Sequence, residues 1–315
     1  MQRGYTARVT LWIAGARGRD TALGIEGGRI VAESPQPPPG SEVLEASGLF
    51  LVPAFIDAHV HLQLVPGAPR ALLRSGVAAV LDLGAPESAL PFAEAAPLRV
   101  RFAGPLLTAP GGYPTQGWGK DGYGLEVASE KEATLAVERL FRSGSRFLKL
   151  AFAPRNPTLA PPVARAAADQ AHRRGMLVAA HALDRDSVQR ALAAGADVFA
   201  HAPLEPIPLP GKWVISTLRA FGGTVRGLGA RVVYGTDLGN QGTEPAIDAR
   251  ELALLEREGV DFLRAATLDA AELLGAPDLG RLSIGSAASL LAVRGLDPES
   301  LAHPVWVMNC GTLLR

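Results

Sequence analysis

Apolar runs of strand length alternate with Ala- and Arg-rich segments from residue 55 onward. The candidate strands, in chain order, are AFIDAHVHL, VAAVLDL, LRVRFAG, RFLKLAF, MLVAAHA, DVFAHA, KWVIST and RVVYGTD. Segments such as LAPPVARAAADQAHRRG and SVQRALAAG lie between them and end at glycine, as helices often do. This alternation over about 220 residues predicts an α/β fold, a (β/α)8 TIM barrel. An open doubly wound sheet is the main competitor, but it would usually carry a Gly-rich phosphate loop after its first strand, and none follows residues 55–62.

Both ends of the chain have a different pattern. Residues 8–54 contain the β-type segments RVTLWIAG, TALGIEGGRIVAE and EVLEASGLFLVPA, which predict a small antiparallel unit with a turn around Gly18 to Asp20. After residue 275, ASLLAVRG and PVWVMNCGTLLR return to strand character and are expected to pair with the N-terminal strands. We therefore predict a barrel at residues 55–275 and one discontinuous β-sandwich domain built from residues 1–54 and 276–315.

Composition narrows the class of partner. The 315 residues include 31 basic and 31 acidic side chains, which leaves no electrostatic footprint for nucleic acid or for an anionic membrane. A small-molecule substrate is the expected partner. The single cysteine, Cys310, excludes an internal disulfide and a Cys-based zinc site, and it fits a reducing compartment.

The N-terminal segment RVTLWIAGA resembles a short signal sequence. Its apolar part is short, however, and the segment fits a β-strand better. No run of 18 or more apolar residues is present to span a membrane. We expect a soluble, cytoplasmic protein. Apolar barrel helices are compatible with a homo-oligomer.

The stretch FIDAHVHL places two histidines one residue apart at the end of a buried-looking strand. Alternate side chains of a strand point to the same face, so His59 and His61 project together. Two adjacent imidazoles are either a pair of metal ligands or polar side chains on a solvated face. The apolar residues around them favour metal ligands.

Four later strands are also interrupted by a polar residue at or near the carboxyl end: Lys149, His181, His201 and Asp237. Each alone has an ordinary explanation, because a strand-end histidine can be structural, a buried lysine can pair with a carboxylate and an aspartate can cap the next helix. Together with the two histidines of the first strand, they would all face the mouth of a barrel, where active sites of this fold lie.

This order of residues resembles the amidohydrolase superfamily of metal-dependent hydrolases, and more narrowly its imidazolonepropionase-like branch, which includes dipeptidases acting on Xaa-Pro. VPAFIDAHVH is similar to the family's PGFIDxHxH, with Ala54 in place of the usual glycine. GVDFLRAATLDAAELLGAPDLGRLSIGSAASLLAV is similar to its last helix and its return into the β-domain. There, GSAASL stands in place of GKxADL, and Ser289 replaces the aspartate, a change expected to affect the β-domain and not the chemistry.

The resemblance implies a binuclear metal centre. His59 and His61 would bind the more buried metal, and His181 and His201 the more exposed one. Asp237 would ligate the first metal and act as general base and acid.

Lys149 is implied to carry a carbamate formed with CO2, because a free ammonium repels a dication while a carbamate offers two oxygens to bridge two ions. The expected cofactor is a divalent metal, about two ions per chain, with zinc expected first, although histidine and carboxylate ligands also admit manganese, iron or cobalt. Such a pair activates water at neutral pH, which implies hydrolysis of a C–N bond in an amide, cyclic amide or dipeptide.

Three further polar residues have simpler roles. Asp57 points with His59 by the same alternation and is either an acceptor for a ligand imidazole or structural. His172 on a solvent-facing helix and His303 before a proline are not expected to bind metal.

Substrate contacts are expected from the loops after the strands. Arg155 follows the Lys149 strand and is either a partner for a substrate carboxylate or a surface residue. In the Gly- and aromatic-rich loop at residues 108–124, Tyr113, Trp118 and Tyr123 either wall an apolar pocket or pack on the barrel rim. The loops after strands four and seven are short, which predicts an open mouth.

Two other functions fit parts of the pattern. A one-metal deaminase of this superfamily would favour a glutamate three residues after the fifth-strand histidine, where Asp184 stands, and would leave Lys149 without a role. A non-catalytic metal- or ligand-binding barrel is the second, although every expected ligand position is filled. The specific substrate and the identity of the metal are not determined by the sequence.

Overall fold

The computed structural model describes residues 10–92 and 95–314. The first two residues of the predicted strand RVTLWIAG, and residues 1–9 of the predicted N-terminal domain segment, lie outside the described residues, as does Arg315.

The secondary structure of the described residues alternates between strands and helices through the middle of the chain. The strands are β1 (Leu11–Ala14), β2 (Ala22–Glu26), β3 (Arg29–Ser34), β4 (Val43–Glu45), β5 (Phe50–Pro53), β6 (Phe55–Val60), β7 (Val77–Asp82), β8 (Arg99–Phe102), β9 (Leu106–Thr108), β10 (Gly124–Glu126), β11 (Phe147–Ala151), β12 (Leu177–His181), β13 (Val198–Phe199), β14 (Trp213–Ile215), β15 (Arg231–Val233), β16 (Leu290–Val293), β17 (Trp306–Asn309) and β18 (Thr312–Leu314). The helices are α1 (Ala68–Ser75), α2 (Glu130–Arg142), α3 (Pro161–Arg173), α4 (Arg185–Ala194), α5 (Leu218–Phe221), α6 (Ala249–Arg257), α7 (Phe262–Ala266), α8 (Leu268–Leu273) and α9 (Pro298–Ala302).

Parallel strands form the centre of the fold. One sheet has the order β6-β7-β8 and the other β10-β9-β11-β12-β13-β14-β15. Backbone hydrogen bonds link the two at both ends: the His61 N–H donates to the Leu238 carbonyl at 2.7 Å, and the Arg146 N–H donates to the Phe102 carbonyl at 3.2 Å. Helices α2, α3 and α4 pack against one another and, through α3, on these strands. The α/β prediction is confirmed, and the arrangement is TIM-barrel-like.

Each of the eight predicted barrel strands contains a strand of the structure, in the predicted order. Two short strands, β9 and β10, were not predicted. Gly104 and Pro105 separate the two leucines of β9 from the preceding run, and β10 has a single apolar residue, so neither segment shows a visible alternation. The helical segments LAPPVARAAADQAHRRG and SVQRALAAG form α3 and α4, and α4 ends at Gly195 with φ of 99°. The predicted last helix is divided between α7 and α8 at Thr267.

The terminal strands form two four-stranded sheets, with the orders β3-β2-β1-β4 and β18-β17-β16-β5. The expected antiparallel unit is in fact mixed, because β4 lies parallel to β1. The predicted strand ALGIEGGRIVAE is a hairpin, since Gly27 and Gly28 both have positive φ and turn the chain between β2 and β3. The C-terminal β16 pairs antiparallel with β5, as expected for strands from opposite ends of the chain.

A separate apolar cluster lies between these terminal sheets. It joins Ile13, Leu23 and Ile30 from the N-terminal part with Leu290 and Met308 from the C-terminal part. In the described residues, no helix has the length and apolarity that crossing a membrane would require.

Candidate metal centre

The first two predicted ligands lie at the end of strand β6, His59 within it and His61 directly after it, each in a fixed tautomer. All six residues of the strand are buried. The His59 Nδ1 lies 2.9 Å from the Ala200 carbonyl, and the His61 Nδ1 lies 3.0 Å from the Gly84 carbonyl. Because a carbonyl can only accept, each Nδ1 carries the hydrogen, and the Nε2 of each neutral ring is left with a lone pair.

Asp237 faces both of these nitrogen atoms. Its Oδ1 lies 3.0 Å from Nε2 of His59 and 3.2 Å from Nε2 of His61. Within the described part of the chain, this buried Oδ1 has no hydrogen-bond partner. Its Oδ2 accepts from the Asn240 amide at 3.1 Å, which fixes the carboxylate orientation. The φ of Asp237 is 55°, a left-handed conformation typical of strained functional positions.

The donor set at this point fits a divalent cation. One ligand atom from each of His59, His61 and Asp237 lies within 4.8 Å of the others. Two imidazole lone pairs and an unpartnered carboxylate oxygen in a buried position are the chemistry that zinc prefers.

His181 and His201 form a second pair of imidazoles beside the first. The His181 Nδ1 and the His201 Nε2 lie 2.9 Å apart, and the His201 Nδ1 lies within hydrogen-bond distance, 3.0 Å, of the Thr217 hydroxyl. The His201 ring lies 4.9 Å from that of His59, measured between centroids. Thr217 therefore orients the His201 ring through Nδ1, with Nε2 facing His181.

Lys149 lies in the same buried group, with 1% of its surface exposed. Burial lowers the pKa of its ammonium to about 7, and the nearby Asp237 carboxylate only partly opposes this effect. A substantial neutral fraction of the amine at neutral pH follows.

Burial disfavours the charged form of every group in this site, so it lowers the pKa of an imidazole and raises that of a carboxylate. Burial lowers the pKa of His59 and His201 well below the usual value and that of His181 to about 3. Burial would raise the pKa of Asp237, but the neighbouring imidazoles outweigh it and hold that pKa well below its usual range. His61 differs, because burial would lower its pKa but the adjacent Asp237 carboxylate outweighs burial and raises it. Ionised Asp237 and the neutral imidazoles of His59, His181 and His201 are in the protonation states that metal ligation needs.

All six predicted ligands line one cavity of about 280 Å³. The other lining residues are Leu64, Leu106, Tyr113, Trp118, Phe221, Gly239, Asn240 and Gln241. A larger surface depression of about 950 Å³ borders α1, but none of the six ligands lines it.

The protein-family comparison decides the family. The model of the amidohydrolase family matches residues 50–205, which contain His59, His61, Lys149, His181 and His201. This chain belongs to the amidohydrolase family. The resemblance seen in its motifs is thereby confirmed, and the chain is a hydrolase of a family that uses divalent metals.

Solved structures share the fold of this amidohydrolase. A candidate prolidase from Bifidobacterium longum is 24% identical with a TM-score of 0.78, and the match covers 96% of this chain and 93% of that one. A Xaa-Pro dipeptidase with bound methionine in its active site is 20% identical with a TM-score of 0.78 over 96% and 99% of the two chains. The ochratoxinase of A. niger is 17% identical with a TM-score of 0.73 over 96% and 94%. A search of curated protein sequences finds no match.

Of the predicted substrate-contact residues of the amidohydrolase, some line the cavity and others lie outside it. Tyr113 stacks on the His181 ring at 4.6 Å between centroids, and Trp118 packs edge-on against His61 at 5.1 Å. Tyr123 is buried behind Trp118 and does not line the cavity. Arg155 is exposed and outside the cavity lining, so the structure does not bring it to the metal ligands.

The remaining polar candidates have structural positions. Asp57 accepts from the His59 backbone N–H at 3.0 Å and from the Thr236 hydroxyl at 2.6 Å, so it ties β6 to the Asp237 segment and does not contact an imidazole. His172 pairs with Asp197 and His303 with Glu299, outside the cavity. Asp184 caps α4 through the Ser187 N–H at 3.0 Å, which leaves the deaminase interpretation without its acid.

Sequence reasoning missed several supporting residues. Thr217 ends the predicted strand KWVIST, so the rule that found the other ligands, a polar residue at a strand end, also applied to it. Asp82 ends β7 and accepts from the Leu62 and Gly84 N–H groups at 2.8 and 3.0 Å, which shapes the loop around His61. Asn240 and Phe221 lie in irregular segments or a four-residue helix, where no periodicity marks them.

Proposed function

We propose that this amidohydrolase cleaves a C–N bond, in an amide, cyclic amide or dipeptide, at a binuclear metal centre. The observation that carries the proposal is the convergence of the six predicted ligands on one cavity, two of them with defined Nε2 lone pairs facing an unpartnered carboxylate oxygen. His59, His61 and Asp237 would hold one ion, and His181 and His201 the other.

Lys149 is the proposed bridge. Its neutral amine would add to the carbon of CO2, forming an N–C bond and releasing one proton, so that the side chain becomes a carbamate anion. The lowered pKa of Lys149 supplies the neutral amine, and its burial beside Asp237 and His181 excludes bulk water. The two carbamate oxygens would each face one ion, and zinc is the ion that this donor set favours.

When bound, the ions would lower the pKa of a water molecule and polarise the substrate carbonyl. As the water oxygen forms a bond to the carbonyl carbon, Asp237 would accept a proton from that water at its carboxylate, since its low pKa keeps it ionised at neutral pH. It would then donate this proton to the departing nitrogen as the C–N bond breaks. Asn240 holds the carboxylate in the orientation that both transfers need.

The finer architecture belongs to the same proposal. We infer a closed (β/α)8 barrel at residues 55–275 and a β-sandwich domain from residues 1–54 and 276–315, supported by the backbone hydrogen bonds at both sheet edges and by the β5–β16 pairing. A cytoplasmic location and a homo-oligomeric state stay predictions from composition.

The test is metal content together with hydrolysis. Protein produced with zinc and kept in bicarbonate should hold about two ions per chain by elemental analysis and should hydrolyse members of a panel of dipeptides and N-acyl amides. Lys149→Ala should lose metal, and Asp237→Ala should abolish hydrolysis while circular dichroism stays that of the folded protein.

His303→Ala is the matched control, because this exposed imidazole pairs only with Glu299 and should change neither readout. One ion per chain that is indifferent to Lys149→Ala would contradict the bridged centre. Full activity in Asp237→Ala would contradict the site itself.

A further inference from the structure

The lining of the cavity outside the six ligands points to a class of substrate. We propose that the site selects uncharged amides with an aromatic or alkyl group on the leaving nitrogen, in preference to substrates with a carboxylate there. This inference rests on the proposed C–N hydrolysis and adds the charge and polarity of the substrate.

Aromatic rings surround the ligand imidazoles on the solvent side. Tyr113 stacks on His181, Trp118 packs against His61, and the Phe221 ring lies 4.3 Å from that of His201. We infer that the group attached to the reacting nitrogen lies among these rings. Flat apolar groups gain most from such contacts, since offset and edge-on arrangements add to the burial of apolar area.

Apolar surface continues to the rim of the cavity. Trp118 is 38% exposed and Leu64 37%, and both line the cavity. Large apolar side chains left exposed next to each other at a concave site are typical of ligand contact. Leu106, which is buried, completes the wall below them.

Part of the polar surface of this wall is already engaged in hydrogen bonds. The Trp118 Nε1–H donates to the Tyr113 hydroxyl at 3.0 Å, and the Asn240 amide donates to Asp237. The eight lining residues outside the six ligands are all uncharged, and Arg155 is exposed outside the lining. A carboxylate carried into this wall would lose hydration without gaining a charged partner, and that loss is costly.

The experiment compares matched substrates on the zinc-loaded protein. Acyl groups from acetyl to benzoyl are each presented as the anilide and as the amide of 4-aminobenzoate, so that only a distal carboxylate differs. We expect kcat/KM for the anilides to exceed that for the carboxylates by at least about tenfold, with dipeptides such as Ala-Pro below both.

Two variants test the wall directly. Gln241→Arg places a guanidinium at an exposed lining position. It should raise kcat/KM for the 4-aminobenzoate amides and so reduce the ratio of anilide to carboxylate kcat/KM. Trp118→Ala should lower kcat/KM for the anilides several-fold. Leu204→Ala, an exposed leucine outside the lining, is the matched control and should change neither series.

The outcomes separate the two levels of the proposal. Equal or better cleavage of the carboxylates or of the dipeptides would overturn the inferred selectivity and leave the C–N hydrolase intact. No cleavage of any amide by protein holding two ions would overturn both.

Discussion

Gly84 is the residue on which the His61 orientation most directly depends. Its carbonyl accepts from the His61 Nδ1, and a Cβ built on it would lie 2.6 Å from the His61 Cε1 and 2.7 Å from Nδ1. Because the imidazole is a rigid, buried ring, Gly84→Ala must displace it. We expect metal affinity at the His59, His61 and Asp237 site to fall by about 10–100-fold.

Calorimetric titration of the metal-free protein with zinc measures this effect. Gly117→Ala is the control, because it lies in the loop beside the cavity and its added Cβ would meet only the Pro114 carbonyl at 3.8 Å. An unchanged zinc affinity in Gly84→Ala would show that the ring is not fixed by this contact.

Thr217 acts on the other pair of histidines. Thr217→Val keeps the β-branched shape at a left-handed φ of 41° but removes the hydroxyl that hydrogen-bonds to the His201 Nδ1. Without this bond the His201 ring is no longer held in orientation, so binding of the second equivalent of zinc should weaken by about 10–100-fold.

Zinc titration checks this prediction, with Thr134→Val on the exposed face of α2 as control. Equal affinity for the second equivalent in Thr217→Val and in the unchanged protein would count against the role of this hydroxyl.

Whether a site residue can be predicted from the sequence depends on whether it lies in an apolar strand or in a loop. The six expected ligands interrupt apolar strands, so their polarity against an apolar background is enough to mark them in the sequence. Gly84 acts through its backbone carbonyl, and Asn240 acts from a turn. Neither role leaves a recognisable pattern in the sequence. Arg155 is a reasonable candidate because of its place after the Lys149 strand, but the course of that loop takes it to the surface.

Between elements, a carboxylate on α6 holds the start of α5. Glu251 is fully buried and accepts from the Leu218 and Arg219 backbone N–H groups at 2.9 and 2.7 Å. Burial nevertheless raises its pKa from 4.5 to about 7, because these hydrogen bonds only partly offset the loss of hydration. The carboxyl group is therefore a pH-dependent part of the packing that positions Thr217.

The sign of the effect on stability follows from linkage. Between pH 4.5 and 7 the folded protein keeps the Glu251 proton while the unfolded chain loses it, so the free energy of unfolding falls as pH rises, by up to ~3 kcal/mol. Below pH 4.5 Glu251 is protonated in both the folded and the unfolded protein. Above pH 7 it is ionised in both, and its contribution to the free energy of unfolding has been lost completely.

Urea unfolding of the metal-free protein at several pH values from about 4.5 to 8 tests this. Glu251→Gln cannot titrate, so its unfolding free energy should fall less steeply with pH than that of the unchanged protein. The other buried acids, Asp57 and Asp82, are present in both proteins and cancel in the comparison. Parallel pH profiles would contradict the raised pKa.

The elements themselves are predictable to the extent that they are periodic. The pattern locates long amphipathic segments such as α3 and α4, and also each apolar strand of the barrel-like sheets. It does not reveal the parallel placement of β4 beside β1, because strand direction depends on a pairing partner about 30 residues away in the chain and leaves no trace in local pattern. The division of the last helix at Thr267 is also hidden, since neither glycine nor proline marks it.

For the whole molecule, β16 connects the two apolar cores. Leu290 faces the cluster between the terminal sheets, while its neighbour Leu291 belongs to the large barrel cluster. Only Ala54 separates β5 from β6, and its N–H donates to the Ser289 carbonyl at 2.9 Å. Adjacent side chains on one strand therefore pack into different layers. This arrangement couples the stability of the terminal strands to that of the strands that carry the predicted ligands.

This arrangement predicts a single unfolding transition. Leu290→Ala and Leu291→Ala should each cost about 2–5 kcal/mol, since both side chains are fully buried. Both should lower the same midpoint in scanning calorimetry, because neither core can lose β16 without exposing the other. Leu296→Ala, at a position 40% exposed, should leave the midpoint nearly unchanged. An early, separate transition in Leu290→Ala with zinc binding retained would instead mean that the terminal sheets unfold independently, because the metal ligands would then survive the loss of the β5–β16 pairing.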